Sequence, residues 1–272
     1  MNSISVVIPF YHAEEFFEET YQSIKNQTLQ PSEIIVVIDG CGEKAEKFLT
    51  KYSDLNVISL PKNVGPAEAR NIGVKAATSQ WIAFIDADDK WEHNKLEQQM
   101  NFLAKHPEFS ACHTGIIAFN KDVTISTFND KPFELNVNHL LESSQVVPTS
   151  FIVLKDAFHA VGGFDLNLKC SEDHDFTLSL VLQEYKIGFL NKPLSYLRRE
   201  DHGNISSNGR KIIVGHIQLL KKHWRTFKKH SGSRSYFLYK TFMSSGGKSQ
   251  GVEKKCYYLI AHAIAFVFNI KK

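Results

Sequence analysis

Short apolar runs alternate with amphipathic segments through the first ninety residues of the chain. The apolar runs predict strands, and the segments between them predict helices because their apolar residues recur every three or four positions. The predicted strands are 4–10, 33–39, 56–60 and 81–86, and the predicted helices are 13–27, 43–52 and 66–79. This alternating order predicts an α/β fold, with a mostly parallel central sheet flanked by helices.

The pattern changes character after residue 90. Residues 95–107 predict a helix that ends at a proline, and residues 171–186 predict a helix with Ser171 as its N-cap and acids in its first turn. The stretch between them mixes strand-like runs with loops. Beyond it, residues 216–230 and 256–270 predict two further helices. We therefore expect one domain at 1–210 and a basic, aromatic helical C-terminal extension at 211–272.

Charge is distributed unevenly along the 272 residues. From residue 198 onwards there are 16 Lys/Arg and 3 Asp/Glu, whereas the preceding 197 residues carry 16 Lys/Arg and 26 Asp/Glu. An acidic body suits bound cations, and a basic tail suits anionic surfaces. The four scattered cysteines argue against a zinc site or a disulfide framework. No apolar stretch reaches the ~18 residues of a membrane span, and no signal peptide is predicted, so we expect a cytoplasmic protein.

Three carboxylates, Asp86, Asp88 and Asp89, stand at the end of the predicted strand 81–86. In open parallel sheets, ligands bind beyond the carboxyl ends of the strands. On an extended segment Asp86 and Asp88 would point to the same side. Such carboxylates suit a divalent metal, Mn²⁺ or Mg²⁺, completed by substrate phosphates. A solvated Asp-rich turn is the alternative interpretation.

Two common nucleotide-binding motifs are missing from the sequence. There is no GxxxxGK[ST], which argues against a P-loop NTPase. There is also no GxGxxG after the first strand, which argues against a dinucleotide-dependent dehydrogenase. A nucleotide diphosphate bound through a metal remains the expected ligand.

Several segments together carry a family resemblance. In order they are SVVIPFYH, EIIVVIDG, NVGPAEARNIGVKAA, WIAFIDADDKW, GGFD and SEDHDF. This set resembles the family 2 glycosyltransferases of the GT-A fold over residues 3–206. The chain departs from the family pattern in two places: Cys41-Gly42 follows Asp39-Gly40, and Phe10 stands where many relatives carry threonine.

The resemblance implies a donor site at the carboxyl ends of the first strands. Asp88 would hold the metal against the diphosphate, and Asp89 would assist the metal or the sugar. The other residues implied in nucleotide-sugar binding are Pro9, Tyr11 stacking near the base, Asp39 accepting from the base, Arg70 near the nucleotide, and Asp86 near the ribose.

The resemblance also implies an acceptor site. Asp173 would act as the base and Glu172 would bind the acceptor, although acids in a first helical turn can simply favour the helix dipole. One base without a covalent nucleophile implies inversion at the anomeric carbon. Trp91 would shape the acceptor side. Arg199 and His202 resemble a family segment that reaches the diphosphate or the metal.

The basic tail, with Lys/Arg interleaved among Leu, Trp and Phe at 216–230, has the composition of a helix at a membrane surface. Packing on the catalytic domain, or a dimer contact, is the alternative. No nucleic-acid-binding motif accompanies it.

The expected function is that of an inverting, metal-dependent glycosyltransferase, peripheral at the inner face of the cell membrane. It would move a sugar from a UDP-sugar to a glycan or lipid-linked acceptor in surface polysaccharide (O-antigen, capsule or lipopolysaccharide) synthesis. A non-catalytic, membrane-associated scaffold that binds sugar nucleotides is the alternative. A nucleotidyltransferase would need a triphosphate loop rich in Gly, Arg and Lys after the first strand, and FYHAEEFF does not supply one.

Overall fold

The computed structural model describes residues 3–121, 123–199, 208–230 and 232–270. The chain divides into two compact units. Within the described ranges, the first unit comprises 3–135, 146–164 and 179–199, and the second comprises 136–145, 165–178 and the residues from 208 onwards.

The first unit is built on strands. They are β1 Ile4–Phe10, β2 Glu33–Asp39, β3 Leu55–Leu60, β4 Trp81–Phe84, β5 Lys90–Trp91, β6 Ala111–Asn120, β7 Val123–Phe128, β8 Phe151–Leu154 and β9 Ile187–Arg198. Its helices are α1 Phe17–Lys25, α2 Glu43–Leu49, α3 Pro66–Ala76, α4 Lys95–Lys105 and α6 Lys155–Ala160, with a 3₁₀ turn at Pro148–Ser150. The four predicted strands and the helices between them are confirmed, with the helices shorter than predicted.

The helices of the second unit are α5 Val137–Glu142, α8 Gly209–Lys222, α9 Trp224–Lys229, α10 Ser233–Gly247 and α11 Gly251–Val267. Helix α7, Glu172–Leu182, contributes its residues up to Leu178 to this unit. The predicted single helix 216–230 is wrong in its bounds: α8 begins at Gly209, capped by the Asn208 side chain, and His223 separates it from α9. His223 has backbone angles outside the helical range (φ −98°, ψ 25°).

The described strands form one sheet in the order β3-β2-β1-β4-β8-β6-β9-β5, with β7 paired to β6. The half from β3 to β4 is parallel throughout. Beyond β4 the sheet is mixed, because β8 runs antiparallel to both of its neighbours while β9 runs parallel to β6. The carboxyl ends of β1, β2 and β4 therefore lie at one edge, as expected for a ligand-binding α/β sheet.

Strands β1, β2 and β4 are buried on both faces, which explains their continuous apolar sequences. Helix α3 approaches β1 closely at Gly73, where an added Cβ would lie 2.4 Å from Val7 Cγ1. Of the helices that the structure describes, none combines the length and apolar character that a membrane crossing needs. The four cysteines are free thiols.

Candidate active site

The segment Asp86–Asp89 forms a tight turn directly after β4. The backbone N–H of Asp89 donates to the carbonyl of Asp86 over 3.1 Å. The Thr20 hydroxyl, from α1, lies 2.9 Å from the carbonyl of Ala87 and 2.7 Å from that of Asp89. The extended conformation expected for Asp86 and Asp88 is therefore wrong. The backbone reverses here, and the Thr20 hydroxyl holds two carbonyls of the turn.

Asp89 is the buried carboxylate of this turn, only 5% exposed. One of its oxygens accepts from the backbone N–H of Arg198 over 2.9 Å, and the other accepts from the hydroxyl of Thr149. Burial, followed by the charges of Asp88 and Asp86, raises the pKa of Asp89 well above its ordinary value. Asp89 thus lies inside the fold, with its carboxylate engaged by the protein itself.

Asp86 and Asp88 are half-buried at the outer side of the turn. Asp86 Oδ1 accepts from the guanidinium of Arg70 over 2.5 Å. Arg70 is itself buried and lies over the ring of Phe164, 5.7 Å from its centroid. The structure therefore brings two of the predicted nucleotide-binding residues, Arg70 and Asp86, into direct contact.

Two residues that hold the Asp86–Asp89 turn, Thr149 and Arg198, were not predicted from the sequence. The Thr149 hydroxyl accepts from the backbone N–H of Asp86 over 3.2 Å as well as donating to Asp89, so it ties both ends of the turn. The guanidinium of Arg198 donates to the carbonyl of Asp88 over 2.9 Å and to Glu19 over 3.0 Å. No local motif could have identified them, because each lies at least 60 residues from the turn in sequence.

Asp39 ends β2 and is 2% exposed. Its two carboxylate oxygens accept from the backbone N–H groups of Val64, over 2.6 Å, and Gly65, over 2.9 Å. Asp39 thereby holds the loop that leads into α3. A second clamp, also missed in the sequence, is Asn71 of α3, whose amide both donates to and accepts from the backbone of Phe164.

Pro9 and Tyr11 stand at the end of β1, where Pro9 is in register with Val37 of β2. The Tyr11 side chain is 54% exposed, with its ring centroid 4.4 Å from that of His12. An exposed aromatic ring at the carboxyl edge of a parallel sheet is available for stacking on a ligand.

Three further predicted residues lie in different surroundings. Trp91 is buried, and its indole N–H donates to the carbonyl of Thr149 over 2.7 Å, so it packs inside the fold in this structure. Arg199 has an exposed side chain, and its backbone N–H donates to Phe119. His202 lies outside the described residues.

Glu172 and Asp173 open helix α7 in the second unit, as the sequence predicts. Both are half-buried, and the Asp173 carboxylate accepts from the backbone N–H of His174 over 2.7 Å. The preceding Ser171 has a positive φ of 67°, so the chain turns sharply into the helix. The acidic pair is thus held at a helix start, where the dipole favours ionised carboxylates.

The turn suits a divalent cation by the chemistry of its donors. Within the described ranges, no group of three or more His, Cys, Asp or Glu side chains could hold a metal by itself. Asp86, Asp88 and Asp89 lie close together, and the charges of Asp86 and Asp88 contribute to the raised pKa of Asp89. A bound cation would offset this excess of negative charge. A site with one protein carboxylate completed by phosphates fits Mg²⁺ or Mn²⁺, whose ligands are oxygens.

A sheet of this topology, with a carboxylate turn at the carboxyl ends of its parallel strands, is typical of nucleotide-sugar transferases of the GT-A type. The family model described as Glycosyl transferase family 2 matches residues 5–162, more than half of the chain. The chain therefore belongs to glycosyltransferase family 2, and it is a transferase enzyme. Membership does not support the alternative of a non-catalytic scaffold.

Two curated relatives have named functions. The Bacillus subtilis glycosyltransferase TuaG, named for teichuronic acid biosynthesis, is 27% identical over 211 residues, which cover 75% of this chain and 82% of TuaG. The Escherichia coli UDP-Glc:alpha-D-GlcNAc-diphosphoundecaprenol beta-1,3-glucosyltransferase WfaP is 26% identical over 223 residues, 81% of this chain and 86% of WfaP. The chain spans only 31% of another relative, an uncharacterised glycosyltransferase of Rickettsia bellii.

Among solved structures, S. aureus TarS 1–349 in complex with UDP-GlcNAc matches with a TM-score of 0.64. The match covers 98% of this chain and 89% of that chain at 18% identity. It confirms the predicted GT-A-like α/β fold.

Proposed function

We propose that this enzyme transfers a sugar from a UDP-sugar to a glycan or lipid-linked acceptor in surface polysaccharide synthesis, with inversion at the anomeric carbon. The observation that carries the proposal is the carboxylate turn Asp86–Asp89, held at the carboxyl edge of a parallel sheet by Thr20, Thr149 and Arg198. The names of TuaG and WfaP support the acceptor class. The UDP-GlcNAc bound to TarS supports the donor class.

On the donor side, Tyr11 stacks on the base beside Pro9, and Asp39 fixes the adjacent loop while accepting from the base. Arg70 orients Asp86 toward the ribose through their ion pair. Asp88 would hold the divalent cation, which would neutralise the charge of the departing diphosphate. Asp89 stays inside the turn and sets its shape.

On the acceptor side, Asp173 takes the proton from the attacking hydroxyl, and Glu172 orients the acceptor. Proton removal by a positioned carboxylate makes the hydroxyl a competent nucleophile for direct displacement. Arg199 and His202 complete the diphosphate site. Trp91 acts by packing beneath the turn through its bond to Thr149.

The test of this assignment is Asp173→Asn, which keeps the size of the side chain but cannot accept a proton at neutral pH. UDP-sugar affinity, measured by calorimetry, should be retained, whereas transfer should fall by roughly 10²–10⁴-fold, mainly in kcat. Glu172→Gln serves as the matched control and should act mainly on the KM of the acceptor. Unchanged transfer by Asp173→Asn would overturn the base assignment, and a retained anomeric configuration in the wild-type product would overturn inversion.

The second part of the proposal is that the enzyme works at an anionic membrane surface and docks through α11. Val252, Leu259 and Phe266, spaced seven residues apart and therefore on one face, are 77%, 71% and 89% exposed. On the opposite side of the helix, Ala261 and Ala265 are buried. An apolar helix face open to solvent suits insertion at the boundary of headgroups and acyl chains.

Charge favours the lipid surface over a contact between two copies of this C-terminal segment. Residues 208–272 contain fourteen Lys/Arg and a single acid, Glu253. Two such segments would repel each other, whereas anionic headgroups attract them, by about 1 kcal/mol for each Lys or Arg near the surface.

Vesicle sedimentation tests this docking face. The wild type should pellet with phosphatidylglycerol vesicles more than with phosphatidylcholine vesicles, and less as salt rises. The double substitution Leu259→Ser/Phe266→Ser should reduce pelleting, whereas Val123→Ser/Ile125→Ser, at exposed positions of β7, should leave it unchanged. Equal loss in both variants, or no pelleting by the wild type, would refute docking by α11, and salt-independent self-association would favour a second copy.

A further inference from the structure

Asp175, two residues after the proposed base, is a buried carboxylate that has no role in the proposed reaction. It is 1% exposed. His223 Nε2 donates to one of its oxygens over 2.7 Å, and Lys222 Nζ donates to the other over 2.8 Å. A carboxylate this deeply buried depends on such partners, because burial alone disfavours its charge.

The two partners are consecutive in sequence, and helix α8 ends between them. Lys222 is the last residue of α8, and His223 is the non-helical residue before α9. Lys222 also bonds to Asp165 over 2.6 Å. Partial burial alone would lower the pKa of Lys222, but the hydrogen bonds and charges of Asp165 and Asp175 outweigh it and raise this pKa. Lys222 is therefore held as a cation between two acids.

Helix α8 also holds the segment that leads into α7. The Gln218 side chain donates to the carbonyl of Asn167 over 3.0 Å and accepts from the N–H of Lys169 over 3.1 Å. At Gly215 an added Cβ would lie 2.2 Å from the sulfur of Cys170, so the segment lies directly against the helix. The chain from 165 to 175 thus contacts α8 at several points, and both Asp165 and Asp175 bond to Lys222.

We propose that Lys222 and His223 are positioning residues for sugar transfer, which fix the first turn of α7 through Asp175 and thereby aim Asp173 and Glu172. This inference rests on the proposed role of Asp173. Asp175 and Asp173 belong to the same helical turn, so a shift of the Asp175 carboxylate moves the base. A displacement of about 1 Å in such a group is enough to lower transfer roughly 10²-fold.

The C-terminal extension thereby has a role in catalysis as well as in membrane docking. Residues at the α8–α9 junction belong to the catalytic apparatus, whatever α11 binds. Deleting the extension before Lys211 would remove Gln218, Lys222 and His223 together with α11. Truncation is therefore unsuitable as a test of membrane docking.

The test compares disruptive and conservative substitutions in the full chain. Lys222→Met and His223→Phe should lower the kcat of transfer by roughly 10- to 100-fold while leaving UDP-sugar affinity and the metal requirement unchanged. Lys222→Arg and His223→Gln, which can still donate to Asp175, should recover most of the rate. Lys221→Met removes the same charge at an exposed neighbouring position and should behave as the wild type. Circular dichroism checks that each variant is folded.

The outcomes separate this inference from the function on which it rests. If Asp173→Asn abolishes transfer but Lys222→Met and His223→Phe do not lower it, the positioning role is refuted and the base is retained. A uniform loss in Lys221→Met and Lys222→Met would also refute it, since the effect would then be one of net charge. If either disruptive variant fails to fold, Asp175→Asn, which keeps the shape of the side chain, replaces it and should show the same loss in kcat with UDP-sugar affinity retained. Full activity of a folded Asp175→Asn would overturn the inference.

Discussion

The two units place their acidic residues by different means. In the first unit, Asp39 and the Asp86–Asp89 turn lie at strand ends in the parallel half of the sheet, and backbone N–H groups and buried hydroxyls hold them. In the second unit, the acids of α7 belong to a segment fixed by long side chains of α8, chiefly Gln218 and Lys222.

This difference has a functional consequence. The sheet fixes the position of a carboxylate at a strand end, so a substitution there affects mainly the charge of the site. A carboxylate held by distant charged side chains can be moved by substitutions that never touch the substrate. We therefore expect the first unit to respond to the loss of ligating groups, and the second to changes of charge, protonation and helix contacts.

The largest expected effect comes from Asp88→Asn in the first unit. Loss of the carboxylate leaves the diphosphate charge without its cation, so transfer should fall by roughly 10³-fold or more. Manganese-dependent strengthening of UDP-sugar binding should disappear in calorimetry, while the thermal stability of the chain stays near that of the wild type. Full activity of this variant in EDTA-treated buffer would contradict the metal role of Asp88.

Acid should weaken the second unit through two histidines, the buried His174 and the half-buried His216. Burial lowers the pKa of His174 to about 4 and that of His216 to about 4. An unfolded chain protonates them near pH 6.5, so between pH 6.5 and 4 the unfolded state binds protons that the folded state does not. Stability should therefore fall as pH falls through this window, by about 2 kcal/mol for each histidine between pH 7 and pH 5.

Urea unfolding at pH 7 and at pH 5, followed by circular dichroism, measures this loss. In the His216→Gln variant, the loss of unfolding free energy that comes from the second unit should be about half of that in the wild type. Among the described residues of the first unit, His113 is comparable, because burial lowers its pKa to about 3. His113→Gln is therefore the matched control in that unit. An equal loss in wild type and His216→Gln would exclude His216 as a source of the pH dependence.

An intermediate effect is expected for Thr149→Val, which keeps the shape of the side chain and removes the hydroxyl that joins Asp86 to Asp89. Leaving the buried Asp89 without this donor should cost about 1–3 kcal/mol of unfolding free energy. UDP affinity should fall together with stability, because the turn that bears Asp88 loosens. Thr149→Ser retains the hydroxyl and should restore both quantities, and its failure to do so would show that the methyl group is what matters.

The smallest effect is expected at the apolar face of α11. Leu259→Ser removes an apolar side chain that is already in solvent, so the free energy of unfolding should change by no more than about 0.5 kcal/mol. Denaturant unfolding of the isolated protein checks this. A loss of 2 kcal/mol or more would indicate that Leu259 is covered in solution and would weaken the proposal that a lipid surface covers it.

Much of the first unit could be predicted from local sequence. Runs such as ISVVIPF and EIIVVID form strands because β-branched and apolar residues buried on both faces leave few other local structures available. The position of Asp86–Asp89 at a strand end follows from the same pattern. The acids that open α7 could be located as well, because helix starts have local signals.

What the sequence determined by itself is therefore the set of elements in the first ninety residues and the residue types at their ends. The tertiary structure decided which residues support those ends. Thr149 and Arg198 showed no motif, and Asn71 had no assigned role within its segment. Trp91 is packed beneath the turn, and His223 pairs with Asp175 across 48 residues. It also decided the antiparallel placement of β8 beside β4. The physical reason is that a strand or helix forms from neighbouring residues, whereas a buried carboxylate finds its donors among whatever the chain topology brings near it.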